Sequence, residues 1–329
     1  MNSFFVNKNA NPIFFKKKIN FPYNAQFSLM TFGPRNKDKI FYIIKRTPGA
    51  GLFSNFIFVI NHLKIAKNNN FLPIIDMKNF ITIYNEKHKI GGTLNAWEYY
   101  FEQVSKYKLE NIYKSKNVII TNDRFFKSFT HNIGQNKFQD LSKKYIKIKK
   151  LYLDYADKFY KLNLNSKTLA VHYRGTSYKT SANHPFPLTI KQTIDHCRHK
   201  MKKFGYTKIF LCTEDKELFE VMKNEFSKQL IYLDDSYRSL KDDAFKIYPR
   251  KNHRYKLGKE ILIESLIISK CKGFFSTNTN VLEFVKFLDK KKKIKYHYMD
   301  NGTNSSNEYV AKWLWHYKNL VPKLLGGFD

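Results

Sequence analysis

The residues best suited to chemistry stand together in His172-Tyr173-Arg174-Gly175-Thr176. Alternate side chains of a strand share a face, so His172 and Arg174 project together and Tyr173 projects opposite. An arginine at a strand end offers a planar fork of N–H donors that matches a diphosphate. His172 beside it can hydrogen-bond a base or a phosphate, and Gly175 permits a sharp turn. The competing role for Arg174 is to pair with a carboxylate and hold the domain together; its place at a strand end favours binding.

Three other runs bear on the same chemistry. Ser276-Thr277-Asn278-Thr279 precedes a helical pattern that begins near Val281. Hydroxyl and amide side chains there cap a helix, and the free N–H groups of a helix start also cradle a phosphate. Glu264 sits in GKEILIESLIISKC (258–271), apolar on nearly every side, so its carboxylate is buried and needs a partner. The two adjacent N–H donors of guanine would satisfy it, and so equally would a lysine or arginine. In Gly49-Ala50-Gly51-Leu52-Phe53-Ser54-Asn55, Gly49 and Gly51 let a ligand approach the backbone, with Asn55 beside a helix start. A tight turn capped by Ser54 or Asn55 explains the run equally well. It is neither a dinucleotide fingerprint, since Ser54 replaces the third glycine, nor a P-loop, since no Gly-Lys-Ser/Thr follows.

No Asp-x-Asp, HExxH, Cys/His zinc spacing or nucleophile elbow occurs. No metal is therefore expected, and a leaving diphosphate would be neutralised by Arg, Lys and helix N-termini.

The elements that must position these residues alternate as in an α/β protein. Ile40 to Lys45, Phe71 to Asp76 and Val118 to Thr121 read as strands, and the helical spacing of Phe56, Val59, Ile60 and Leu63 predicts a helix from Ser54-Asn55 to the asparagines at 68–70. Asn95 to Lys106 is expected to be helical, and 138–164 to form a helical bridge. Beyond it, strands are expected at 168–174, 208–213, 229–233 and 273–276, with helices at 189–203, 216–226, 258–271 and 281–288. Such alternation argues for parallel sheets with right-handed crossovers. Ligands in such sheets sit beyond the carboxyl ends of the strands, which is where Arg174 and Ser276 fall.

The 329 residues suit two α/β domains, and 43% hydrophobic content supplies two cores. The net charge of +32 attracts polyanions, although Lys, Asn, Ile, Phe and Tyr are abundant throughout, as genomic bias would make them. The charge is spread and no nucleic-acid motif is present, so nucleic acid is not an expected partner. Cys197, Cys212 and Cys271 form no disulfide framework and read as buried thiols of a reducing, cytoplasmic setting. The leader holds Phe4-Phe5-Val6 and Phe14-Phe15-Lys16-Lys17-Lys18 but no signal core. It is expected to be an ordering-poor extension, or else a peripheral contact with an anionic membrane face.

Taken in this order, His172–Thr176, Leu211-Cys212-Thr213-Glu214-Asp215, and the block from Leu257 through Val281 resemble the fucosyltransferase superfamily of bacterial nodulation, α-1,6- and protein O-fucosyltransferases. The Gly49–Asn55 turn, Asn61-His62 and Ile75-Asp76 are similar to the N-terminal half of its bacterial members. The resemblance implies a GT-B fold, two Rossmann-like domains facing a cleft, here 40–165 on the acceptor side and 166–329 for the nucleotide sugar, after an extension over 1–39. It implies GDP-fucose as donor, a glycan or surface polysaccharide as acceptor, and inverting, metal-independent transfer. By the same likeness Arg174 and Ser276 to Thr279 would hold the diphosphate, and His172 and Glu264 the guanine. The chain departs from the family in having Ser177 where the motif ends in Asp, and Thr180 and Ser181 near the place of a catalytic carboxylate. His184, before Pro185, is then the nearest group able to take a proton near neutral pH, or else a shaper of its loop.

Overall fold

The computed structural model describes residues 27–121 and 135–328, with side chains from residue 140 onward in the second stretch. The chain divides into two compact units, Met1–Lys149 and Lys150–Asp329.

In the first unit the strands are β1 (Phe27–Met30), β2 (Phe41–Ile44), β3 (Leu72–Ile75) and β4 (Val118–Thr121), in the sheet order β1-β4-β2-β3. β2 pairs in parallel with both β3 and β4. Helix α1 (Leu52–Asn68) makes the crossover from β2 to β3, and the short α2 (Leu109–Ile112) precedes β4. Phe41, Ile43, Ile74, Val118 and Ile120 form one buried face with Leu109 and Ile112 from α2. β1 pairs antiparallel with β4, Phe27 opposite Thr121, so the chain from residue 27 belongs to this sheet and not to a 1–39 extension. The leader before it, with its expected membrane contact, lies outside the described residues.

The helix expected over Asn95 to Lys106 is one 3-10 turn, Ala96–Tyr99. Tertiary bonds win over the local pattern. The Gln103 amide accepts from Ile75 N and donates to Ile75 O, both at 2.9 Å, and Glu102 N donates to Lys147 O at 2.8 Å. That pairing also interrupts the expected bridge, which becomes α3 (Gln135–Tyr145) and α4 (Lys150–Asn163). α4 belongs to the second unit, because Tyr152 and Ala156 are buried there and the Tyr152 hydroxyl meets the Tyr255 hydroxyl at 3.1 Å. The division thus falls at 149/150 and not at 165/166.

The second unit holds a five-stranded parallel sheet of β5 (Thr168–Tyr173), β6 (Lys208–Thr213), β7 (Leu230–Ile231), β8 (Gly273–Ser276) and β9 (Lys295–Tyr298). Its order is β7-β6-β5-β8-β9. The helices are α5 (Ile190–Phe204), α6 (Lys216–Phe226), α7 (His253–Ile268), α8 (Asn280–Leu288) and α9 (Glu308–Leu320). Leu169, Val171, Tyr173, Ile209, Leu211 and Phe275 face Cys197 of α5 and Leu218, Phe219 and Met222 of α6. The alternate residues therefore point to the other face, where Phe159 of α4 packs on Phe210 at 5.8 Å and α7 lies against α4. Local signals start the helices as read. Thr189 and Gln192 form a capping box on α5, and Asp215, Thr279 and Asn307 cap α6, α8 and α9. α7 begins at His253, before the expected Gly258.

Candidate functional site

The chain leaves β5 for β6 and β7 on one side, whereas β8 and β9 lie on the other. The order reverses between β5 and β8, and a crevice at such a switch point, outside the carboxyl ends of the strands, is where open α/β sheets take ligands. The loops that flank it carry Arg174 and Ser276–Thr279. Register sets His172 of β5 beside both Ser276 of β8 and Cys212 of β6.

Arg174 is held by a carboxylate that the motif alone does not reveal. Its Nη1 lies 3.3 Å from Glu214 Oε1, and its Nη2 donates to Ser177 Oγ at 3.0 Å. The same Glu214 oxygen accepts from Gly175 N at 3.1 Å and from the Thr176 hydroxyl at 3.2 Å. The guanidinium lies against the Tyr178 ring, 5.7 Å from its centroid. Of the two roles open in the sequence, the structure shows the pairing with a carboxylate, and the arginine side chain stays 34% exposed. Gly175 has no room for a side chain, since a Cβ there would meet Asp215 Oδ2 at 2.2 Å and Tyr173 Cε1 at 2.5 Å. Asp215 in turn caps α6 and pairs with Lys179 Nζ at 3.0 Å. Glu214, Asp215 and Lys179 were not among the expected site residues. Their one signal in the sequence was Thr213-Glu214-Asp215 at the end of the neighbouring strand.

Beneath this loop lies a buried polar group. His172 is buried, and its Nδ1 has no hydrogen-bond partner among the described residues. Burial, helped by the Arg174 charge, lowers its pKa to about 3, so the ring is neutral. Glu264 of α7 faces the same layer, since its charge raises the Cys212 thiol further above its already burial-raised value. Its Oε1 accepts from the Ser236 hydroxyl at 2.8 Å, and no cation pairs with it among the described residues. Burial raises its pKa to about 8, a shift that the Ser236 bond and the Arg238 charge oppose. Ser236 and Arg238 belong to the loop after β7, which sequence reasoning left unread. Arg238 is fixed over the Phe219 ring at 4.0 Å and donates to Leu233 O and Ser236 O, while its buried Nε has no partner among the described residues. An ion pair of Arg250 with Glu260 of α7 at 2.6 Å fastens the loop.

At β8, the Ser276 hydroxyl donates to Thr277 O at 2.9 Å, and Thr279 Oγ1 accepts from Leu282 N at 3.3 Å. These two side chains serve the turn and the cap. Asn278 is exposed, and Thr277 is buried.

His184 is exposed, with its ring 4.9 Å from that of Tyr178, so Tyr178 touches both Arg174 and His184. Its Nδ1 lies 2.8 Å from Ala182 O. A carbonyl only accepts, so the Nδ1–H is the donor of this bond. Gly49, Gly51 and Asn55 belong to the first unit. Gly49 has φ +77°, and the Asn55 amide closes on Ala50, accepting from its N–H at 2.9 Å and donating to its carbonyl at 3.0 Å. α1 starts at Leu52, and Asn55 braces the turn before it. Among the described residues, no three His, Cys, Asp or Glu gather as metal ligands, and no helix is long and apolar enough to cross a membrane.

The sequence matches no family model. No curated protein matches it significantly. Solved structures do match. The NodZ α-1,6-fucosyltransferase soaked with GDP-fucose has a TM-score of 0.51 at 12% identity, over 76% of this chain and 93% of that one. The same enzyme co-crystallised with GDP gives the same figures. POFUT1 in complex with GDP has a TM-score of 0.47 at 11% identity, over 80% of this chain and 99% of that one. A likeness that spans more of the chain than either unit alone, over one mixed and one parallel α/β sheet, gives this chain the GT-B fold of the NodZ fucosyltransferase structures.

Proposed function

We propose that the chain is a glycosyltransferase that moves fucose from GDP-fucose to a glycan, such as a surface polysaccharide. What supports this is that Arg174 follows β5 and Ser276 to Thr279 close β8, the two strands on either side of the switch point, in a fold shared with an enzyme solved with GDP and with GDP-fucose. Arg174 and the N–H groups at the start of α8, with Ser276 to Thr279, receive the diphosphate. His172 and Glu264 receive the guanine, whose adjacent N–H donors match a carboxylate. In the first unit, Gly49, Gly51 and Asn55 shape a turn near which loops would take the acceptor.

The acceptor hydroxyl oxygen forms a bond to the anomeric carbon, on the face opposite the departing group, and inverts it. The bond from that carbon to the β-phosphate oxygen breaks, and GDP leaves with the electron pair. Arg174 and the helix start stabilise the charge that grows on the diphosphate, so no metal is required in this scheme. The hydroxyl proton passes to Nε2 of His184, whose Nδ1 is occupied by the bond to Ala182 O.

Calorimetric titration with GDP, UDP, CDP and GDP-fucose in the presence of EDTA tests this. Binding of GDP and GDP-fucose alone, lost in Arg174→Ala, is expected. Tighter binding of UDP or CDP would replace the donor while keeping the transferase, and no nucleotide binding would end both.

A further inference from the structure

The C-terminal helix α9 carries its apolar residues on the wrong side for a core. Ala311 and Trp315 face inward, and the Trp315 indole N–H donates to Pro187 O at 3.1 Å. At 100° per residue, Tyr309, Leu320, Trp313, Tyr317 and Val310 fall within one sector of about 100°, well away from that inner face. All five are exposed, Tyr309 by 80%, Trp313 by 73% and Leu320 by 82%. The following turn extends the patch with Leu324, which is 99% exposed, and Leu325. An apolar stripe that could have been turned inward, and is instead presented to solvent, marks an interaction surface.

The kinds of residue identify its partner. Trp and Tyr on one face of a surface helix are the side chains that settle at the headgroup level of a bilayer. Lys312 and His316 border the stripe, Lys318 and Lys323 follow, and Glu308 is the single acid of the helix. A protein partner with an apolar groove would satisfy the aromatics alone. An anionic lipid surface satisfies the aromatics and the lysines together, and it suits a chain of net charge +32. We infer that α9, with the turn after it, docks this protein on an anionic membrane surface, its Trp313 face set into the headgroup layer. The inner side of α9, through Trp315, packs on Lys179 of the Arg174 loop at 5.0 Å, and the stripe lies on the opposite side of the helix.

Tryptophan fluorescence tests it directly. Trp97 and Trp315 are buried, so Trp313 is the indole free to report on lipid, and residues 1–26 hold no tryptophan. Full-length protein would be mixed with phosphatidylcholine vesicles, with and without phosphatidylglycerol, and with brominated acyl chains as quenchers. The expected result is a blue shift and bromine quenching with the anionic vesicles only, both absent in Trp313→Phe. Affinity in co-sedimentation of Trp313→Ala/Tyr317→Ala should fall roughly 100-fold, about tenfold for each of the two large side chains lost, with an unchanged circular dichroism spectrum. Vesicle binding that leaves Trp313 unquenched would overturn the inference, because contact would then run through charge alone. Concentration-dependent dimers in sedimentation velocity, abolished by the double variant, would overturn it too, by showing a second copy on this face.

Discussion

Glu214 Oε1 is shared by Arg174, at 3.3 Å, and by the backbone N–H of Gly175, at 3.1 Å, so one carboxylate aims the guanidinium and fixes the turn behind it. Arg174 supplies the positive charge, and Glu214 decides where it points. Arg174→Ala should lower the transfer rate by about 100-fold or more, the usual cost of removing one donor from developing negative charge. Arg174→Lys should rescue little of this, since an ammonium cannot replace the fork. Glu214→Gln, which keeps an acceptor for Gly175 but loses the charge, should weaken GDP binding several-fold. Equal rates in wild type and Arg174→Ala would remove Arg174 from the site.

Gly175 is a steric requirement, because a Cβ would overlap Asp215 Oδ2 at 2.2 Å. Asp215 also caps α6 and holds Lys179, so it cannot yield cheaply. Gly175→Ala should cost about 3 kcal/mol, the upper range for overpacking, seen as a Tm drop of about 2–4 °C per kcal/mol. An unchanged Tm would mean that the Asp215 pairs give way freely.

The carboxyl of Glu264, raised to about 8 by burial, is mostly protonated at pH 7. Guanine N–H donors favour the ionised form, so GDP binding should lower this pKa and release a proton. Titration at pH 7 in buffers of different ionisation enthalpy should show up to about one proton released per GDP, and none in Glu264→Gln. Without ligand the sign is opposite to that of an ion-paired acid. Because the folded pKa lies above the unfolded value near 4.5, the folded state holds the extra proton between pH 4.5 and 8. Stability is full below that window and falls as pH rises through it. Glu264→Gln should flatten this decline, measured by denaturant unfolding at pH 5 and pH 8.

His172 works in the other direction. Its folded pKa of about 3 lies below the ordinary 6.5, so its neutral form contributes stability above pH 6.5 that is lost as pH falls toward 3. His62, His196 and His297 are lowered too, to between about 3 and 4. His172→Gln should therefore remove a part of the acid destabilisation between pH 6.5 and 4, and should not abolish it.

In the first unit, the Asn55 amide is committed to both backbone groups of Ala50. Asn55→Ala should cost about 1–3 kcal/mol, because a backbone N–H loses its acceptor, with GDP affinity unchanged. A selective loss of GDP affinity at full stability would instead make Asn55 a ligand contact.

What the sequence determined alone was local. The apolar runs of β2, β5, β6 and β8 were legible because a strand buried on both faces has a continuous hydrophobic signature. The caps Thr189 and Thr279 were legible as helix starts, since capping acts within three residues, and Arg174 and Glu264 stood out as polar residues at positions that burial or strand ends make costly. The tertiary structure decided everything that depends on residues far apart in the chain. Glu214 reaches Arg174 from the end of the neighbouring strand, and Ser236 reaches Glu264 from a loop with no periodicity. Gln103 unwinds an otherwise helical pattern by bonding to Ile75, and β1 joins a sheet through β4, some 90 residues later. Side-chain patterns record whether a residue is buried. They carry no record of which distant group completes its hydrogen bonds, because that choice is made only when the sheet brings the strand ends together.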